Sequence, residues 1–174
     1  MKKIGIIVGS LRKASNSQKI ADNALNYYKG KADAKVIEIG HLPLYNADYE
    51  LDLPESYVHY KKEIESFDSF LFIVPEYNRT MTPAMKNAID VASRPFTSNK
   101  WNGKTVLLVG HSIGKLGAYG AVNDVRKVLG FLGANVLMYP EVYLGPTKDL
   151  FNEDGTFVPA SAGFMDDVFS ALLK

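Results

Sequence analysis

Gly9-Ser10-Leu11-Arg12-Lys13-Ala14-Ser15-Asn16-Ser17-Gln18 sets three serines, an asparagine and two cations directly before a helix-period segment. Free N–H groups and the positive end of the helix dipole make such a helix start an anion site. Arg12 can add charge-assisted hydrogen bonds to an acidic group. The stretch is not G-x-x-x-x-G-K-[ST], so it is not a nucleoside-triphosphate loop. Its chemistry suits a phosphate monoester gripped by hydroxyls and amides. The plainer reading is a capped helix in a polar loop, since Ser and Asn cap helices routinely.

Two further stretches carry chemistry. Pro75-Glu76-Tyr77-Asn78-Arg79-Thr80-Met81-Thr82-Pro83 is restricted by a proline at each end. Tyr77 can flank a planar heteroaromatic ring and Asn78 can reach its polar edge. The alternative is an ordinary strand-to-helix connection with an exposed tyrosine. Gly110-His111-Ser112-Ile113-Gly114-Lys115-Leu116-Gly117-Ala118-Tyr119-Gly120 has four glycines in eleven residues, which lets backbone approach a ligand closely. Its G-x-x-G-x-x-G spacing differs from the G-x-G-x-x-G dinucleotide fingerprint. Gly110 to Gly114 does fit G-x-S-x-G, the nucleophile elbow of serine hydrolases. That elbow needs an acid and then a histidine later in the chain, and no histidine follows Ser112. His111 is its immediate neighbour, and adjacent side chains rarely face each other as a base must. A serine hydrolase is therefore the least favoured reading.

The elements that must position these loops are legible in the apolar pattern. Ile4–Val8, Phe70–Val74 and Thr105–Val109 are short, largely apolar runs, as strands buried on both faces should be. Ala34–Ile39 and Val136–Met138 read as two more strands. Between them lie helix-period segments at Ser17–Tyr28, Ser56–Phe67, Thr82–Ser93, Tyr119–Leu132 and Ala160–Leu173. Pro83 suits a first helical position, and Gly133 a C-terminal cap. Five strands alternating with five helices indicate an α/β chain with a parallel sheet covered on both sides. Ligands of such sheets bind beyond the carboxyl ends of the strands. All three loops follow strands. The isolated Trp101 is expected in the core or an interface, Arg79 in solvent, and Asp90 with Arg94 as an ion pair one helical turn apart.

Composition narrows the classes. The chain has 174 residues, 47% hydrophobic and 22% charged, which suits a single globular domain over 1–174. Twenty basic and 19 acidic residues leave a net charge of +1, so nucleic acid is not an expected partner. Without cysteine there is no disulfide framework, thiolate metal site or cysteine nucleophile. His41, His59 and His111 have no metal-ligand spacing, so no metal is expected. The apolar run at the start is too short for a signal peptide, and no run approaches the ~20 residues that span a membrane. A cytoplasmic protein is expected.

These stretches together resemble the NADPH-dependent FMN reductases, which include quinone, chromate and azo reductases. Gly9-Ser10-Leu11-Arg12-Lys13 with Ser15 and Ser17 is similar to that family's phosphate loop. Pro75-Glu76-Tyr77-Asn78, Pro83, Lys86-Asn87-Ala88-Ile89-Asp90 and Ser93-Arg94-Pro95 are similar to its central signature. Leu42-Pro43-Leu44-Tyr45-Asn46 resembles a further segment. The resemblance implies a flavodoxin-like three-layer sandwich with a five-stranded parallel sheet in the order 2-1-3-4-5. It also implies tightly bound FMN and a homodimer or homotetramer. It places the FMN phosphate on Ser10, Arg12, Ser15, Ser17 and Gln18. It sets the isoalloxazine against Pro75, Glu76, Tyr77 and Asn78, with Ser112 and Gly114 at its polar edge. Family members often carry asparagine where Ser17 stands, so Asn16 and Ser17 compete for the phosphate. Lys115 and the start of the fourth helix can stabilise negative charge on reduced flavin, or Lys115 is a solvated lysine.

The implied reaction takes a hydride from NADPH or NADH to flavin N5, then passes electrons to a quinone, azo compound, flavin or similar acceptor. The cofactor carries that chemistry, so no side chain need act as acid or base. Two rival readings are a flavodoxin-type electron carrier without nicotinamide activity and an FMN-binding sensor or scaffold without turnover. Flavodoxins are strongly acidic with a T-x-T-G-x-T loop, and this chain is neither. The residues do not choose between NADH and NADPH, nor among acceptors.

Overall fold

The apolar runs become the centre of a parallel sheet in a computed structural model describing residues 1–174. In chain order the elements are β1 (Lys3–Val8), α1 (Asn16–Tyr28), β2 (Asp33–Ile37), α2 (Glu55–Glu65), β3 (Ser69–Tyr77) and β4 (Thr80–Met81). There follow α3 (Pro83–Ser93), β5 (Thr105–His111), α4 (Tyr119–Phe131), β6 (Asn135–Val136), β7 (Tyr143–Leu144) and α5 (Pro159–Ser170). The sheet runs β2-β1-β3-β5-β6 with all neighbours parallel. This is the expected order 2-1-3-4-5 in the numbering of the main strands. Two short strands are added to that plan, β4 antiparallel to the end of β3 and β7 parallel to the end of β5, which brings the count to seven.

Period-two alternation divides each central strand between two cores. Ile7, Phe70, Phe72 and Val74 face one apolar layer with Tyr57 and Tyr60 of α2, Met85 of α3 and Val122 of α4. Ile4, Ile6, Leu71 and Ile73 face the other, with Ile20 and Ala24 of α1 and Met165 and Phe169 of α5. Both faces are dry, which is why these strands read as continuous apolar runs. Trp101 is fully buried, its ring edge-on to Phe70 and Phe72 and its indole N–H donating to the Ile89 carbonyl at 2.9 Å. Nearby, the Lys61 ammonium is buried and donates to the carbonyls of Ala92, Arg94 and Ser98. A cation there closes the C-terminal end of α3. Burial, then the neighbouring Lys100 charge, lowers its pKa to about 8.

The structure corrects four expectations. The fifth strand is not Val136–Met138: pairing with β5 stops at Val136, the chain leaves the sheet, and it returns as β7. A proline at 140 has no N–H for a ladder, and only Glu141 and Val142 separate it from β7. The stretch from Pro75 is not a plain loop. Pro75, Glu76 and Tyr77 extend β3, which turns through Asn78-Arg79 into the antiparallel β4, pairing Tyr77 with Thr80. Asn78 (φ 50°) and Arg79 (φ 70°) both adopt the left-handed conformation that a two-residue hairpin turn demands. Likewise Gly110 and His111 belong to β5 rather than to the loop after it. Finally, Asp90 pairs with Lys86 at 2.6 Å and not with Arg94, whose guanidinium lies over the Phe96 ring.

Candidate functional site

Three strand ends meet at one rim of the sheet, and specific bonds hold them together. Gly9, just past β1, donates its N–H to the Ile73 carbonyl at 3.0 Å. A Cβ at Gly9 would lie 2.7 Å from Pro75 Cδ and from Met85 Cε, so only glycine lets the first loop touch the end of β3. The Gly9 carbonyl accepts from the Thr82 hydroxyl at 2.6 Å, and Thr82 Oγ1 in turn accepts the Met85 N–H as the N-cap of α3. Thr82 thus ties the first loop to the start of α3. Its role was not visible in the sequence, where it read only as a helix start before proline.

The start of α1 is capped from within. Ser15 is the N-cap, its Oγ accepting from Ser17 N–H at 3.0 Å. Ser15 and Ser17 are both buried. Ser17 Oγ lies 2.6 Å from His111 Nε2, so its side chain points inward to β5. Burial, then the Arg12 charge, lowers the His111 pKa to about 4, and the ring is neutral at physiological pH. Its Nδ1 is buried without a partner. Around this capped start, Ser10, Asn16 and Gln18 are partly exposed and Arg12 is exposed. Gln18 donates to Asp22 at 2.9 Å, and Arg12 forms no ion pair. The first turn of α1 holds no acidic residue. A cation with no carboxylate beside an uncompensated helix start is the donor set a phosphate monoester fits.

The hairpin that carries Tyr77 and Asn78 rests on α4. Glu76 Oε2 accepts from Ala121 N–H at 3.1 Å, supplying the cap that Ala118, in the left-handed conformation (φ 71°), lacks. A Cβ at Gly120 would crowd the Arg79 carbonyl at 2.5 Å and Glu76 Oε2 at 3.0 Å, so α4 starts directly against the hairpin turn. Pro75 is buried and the Glu76 carboxylate nearly so; Arg79 reaches back to it at 3.5 Å while remaining mostly in solvent. Tyr77, half exposed, and Asn78 project from the rim.

The third loop is clamped to β7. Ser112 N–H donates to the Leu144 carbonyl at 3.0 Å, and Thr147 N–H donates to the Ser112 carbonyl at 3.1 Å. Gly117 (φ 57°) packs so closely on Tyr143 that a Cβ would overlap its backbone carbon. Ser112 Oγ donates to the Gly114 carbonyl at 3.0 Å and touches no histidine, so no hydrolase pair exists there. Ile113, Gly114 and Lys115 are exposed, and only Ser112 Oγ would come within 4 Å of a Cβ at Gly114. That open floor beside a projecting tyrosine accommodates a flat ring, so the residues present fit a flavin mononucleotide.

Asn87 explains why two distant segments read as one signature. Its side chain accepts the Tyr45 N–H at 2.8 Å and donates to the Leu42 and Pro43 carbonyls. The segment Leu42–Asn46 is therefore pinned to α3, the helix that starts at the rim.

Open parallel topology, a helix start with free cations, and a tyrosine-bearing hairpin over a glycine floor define an oxidoreductase of the flavodoxin type. Residues 2–149 match the family described as NADPH-dependent FMN reductase, and the chain belongs to that family. It is a flavoprotein enzyme that uses FMN and NAD(P)H. A quinone reductase of Pseudomonas putida is 38% identical over 175 residues, covering 98% of this chain and 94% of that protein. The flavoenzyme NAD(P)H:(acceptor) oxidoreductase FerB of Paracoccus denitrificans superposes with a TM-score of 0.92 at 34% identity, covering 99% of this chain and 96% of the other. A flavodoxin of Pseudomonas aeruginosa shares the fold at a TM-score of 0.61, covering 99% of each chain, with 15% identity. No helix is long and apolar enough to cross a membrane.

Proposed function

We propose that this enzyme is an NAD(P)H:quinone oxidoreductase whose FMN sits across the three strand ends. The observation that carries the reading is the meeting of a phosphate-competent helix start, a ring-flanking tyrosine and an open glycine floor on one rim. The likeness to a quinone reductase over nearly the whole chain supports the choice of acceptor. When bound, FMN supplies two-electron chemistry at its N5 position.

The side chains bind and orient. Arg12, Ser10, Asn16 and Gln18 grip the phosphate, while Ser15 caps the helix beneath it. Ser17 holds that loop by its bond to His111 rather than by reaching out, which favours Asn16 as the exposed partner. Pro75 and Tyr77 flank the ring, and Asn78 and the Ser112–Gly114 backbone meet its polar edge. Glu76 fixes the hairpin through α4. Lys115 and the N-terminus of α4 oppose negative charge on the ring's pyrimidine side. We read 1–174 as one working unit that self-associates as a homodimer or homotetramer in the cytoplasm, where reduced nicotinamide is supplied.

The test is direct. Purified protein reconstituted with FMN should be yellow, bleach within seconds of anaerobic NADPH addition, and regain colour on addition of a benzoquinone. Bleaching without recovery would remove the quinone assignment; no bound flavin at all would remove the site. Light scattering after size-exclusion chromatography reads the assembly.

A further inference from the structure

A hollow at the opposite end of the sheet shares no residue with the flavin rim. It measures about 660 Å³ and lies between α5 and the excursion that follows β6. Thr105, which opens β5, borders it, whereas His111, which closes β5, lies under the phosphate loop. The length of β5 separates the two ends by about 20 Å. The walls are of two kinds. Leu137, Val168 and Leu172 make them apolar, and the rings of Tyr139 and Phe164 stand out toward water, 86% and 48% exposed. Lys2 and Asp167 bring opposite charges to the same hollow, and neither forms an ion pair with the other or with any other residue. Lys2 is half-buried and still takes no carboxylate; Asp68, at the same end of the sheet, is spent on the Lys3 N–H at 3.0 Å. The Ser170 hydroxyl donates to the Asp167 backbone carbonyl at 2.7 Å, which leaves the Asp167 carboxylate free of it. Thr105 and Asn135 add a hydroxyl and an amide, and the exposed Lys174 a second ammonium. Free charges of both signs beside aromatic walls are complementary to a molecule that carries both signs and a ring. The volume is that of a small-molecule site.

We infer that this hollow binds a small aromatic zwitterion, an α-amino acid with an aromatic side chain. Its carboxylate meets Lys2, its ammonium meets Asp167, and its ring packs on Tyr139 and Phe164 in offset or edge-on contact. Thr105 and Asn135 take the hydrogen bonds that the two charged groups leave over. Binding here stabilises the folded chain by mass action. It leaves the flavin and its turnover alone, because no residue of this hollow reaches the rim. The inference is independent of the quinone assignment.

The test titrates FMN-loaded protein in a calorimeter with three probes. They are L-phenylalanine, 3-phenylpropanoate, which lacks the ammonium, and 2-phenylethylamine, which lacks the carboxylate. L-Phenylalanine should bind most tightly and each of the others roughly tenfold more weakly, as loss of one charge-assisted contact does. Lys2→Ala should weaken L-phenylalanine by about the same factor and leave 2-phenylethylamine unchanged. Asp167→Asn should weaken L-phenylalanine and leave 3-phenylpropanoate unchanged. Tyr139→Ala should weaken all three. Flavin content, kcat and KM for NADPH should stay at wild-type values in every variant. Independently, amide resonances that shift on adding L-phenylalanine should be confined to Thr105, Asn135, Leu137 and α5. Shifts at Gly9–Gln18 or at the Asn78-Arg79 turn would put the probe on the flavin rim and overturn the inference. So would equal binding of the three probes, or binding of none. If none binds and Tyr139→Ala changes the assembly mass in light scattering, the face belongs to a second copy of the chain and the inference falls.

Discussion

Ser17 Oγ and His111 Nε2, 94 positions apart in sequence, stand 2.6 Å apart beneath the start of α1. The pair joins the first strand's loop to the end of β5 without touching solvent. It makes His111 a structural partner of the phosphate loop rather than a base for its sequence neighbour Ser112.

The same pair sets an acid limit. The folded pKa of His111 is about 4, below the ordinary value near 6.5. Between those values the unfolded chain binds a proton that the folded chain does not, so stability present above pH 6.5 is lost as pH falls toward 4. About 2 kcal/mol should disappear between pH 7 and pH 5. Urea midpoints at the two pH values measure it. His111→Gln, which cannot titrate, should remove most of the difference; an unchanged pH dependence would show that other groups carry it.

Thr82→Val keeps the shape of the side chain but removes the donor to Gly9 and the cap of α3. The Gly9 carbonyl is left without that partner in a buried place, a loss of about 2 kcal/mol. Thermal unfolding should fall by roughly 4–8 °C for a chain of this size. FMN should dissociate faster, because the first loop is no longer tied to β3 and α3. Stopped-flow release of flavin fluorescence reads this second effect, and an unaltered rate would confine Thr82 to stability.

Gly9→Ala tests the close approach of two loops. The added methyl meets Pro75 and Met85 at 2.7 Å and, behind them, the Ile73 carbonyl at 3.1 Å. Overpacking of this kind costs about 1–3 kcal/mol. Flavin affinity should fall more than that stability loss explains, since the methyl pushes the phosphate loop away from the ring-flanking strand. Equilibrium dialysis against FMN, with far-UV circular dichroism as a control for folding, checks the difference.

Glu76 separates capping from charge. Glu76→Gln retains an acceptor for Ala121 N–H and should keep the hairpin in place, whereas Glu76→Ala should free both α4 and the tip. The alanine variant should lose about 1 kcal/mol and the glutamine variant less. If Tyr77 flanks the flavin as proposed, Glu76→Ala should also shift the visible flavin spectrum while Glu76→Gln leaves it near wild type. Identical spectra for both variants would detach the hairpin from the ring.

Much of this architecture was legible because its causes are local. Ile4–Val8 and Phe70–Val74 announce strands buried on both faces, and Pro83 announces the start of α3. The order of those strands needed the family likeness. The rest depended on contacts between distant segments. No pattern near Ser17 foretells His111, and nothing around Thr82 foretells the Gly9 carbonyl. The hairpin escaped notice because Asn78-Arg79 lacks the glycine that usually marks a two-residue turn, and Arg79 accepts a left-handed backbone there. The outer strand was misplaced because Leu137 and Met138 continue an apolar run after its pairing has ended.

That interruption has a mechanical meaning. The two halves of the outer strand hold β5 separately, one at Thr105 and Val106, the other at Gly110 and His111. Leu137 and Val142 still bond to β5, at Val106 and Gly110, so residues 138–141 between them are the slack: a change of length confined there leaves both registers where they are. The clamp on the ring-facing loop is thereby insulated from events at the far edge, and a tag or inserted peptide placed there would be carried as passive cargo.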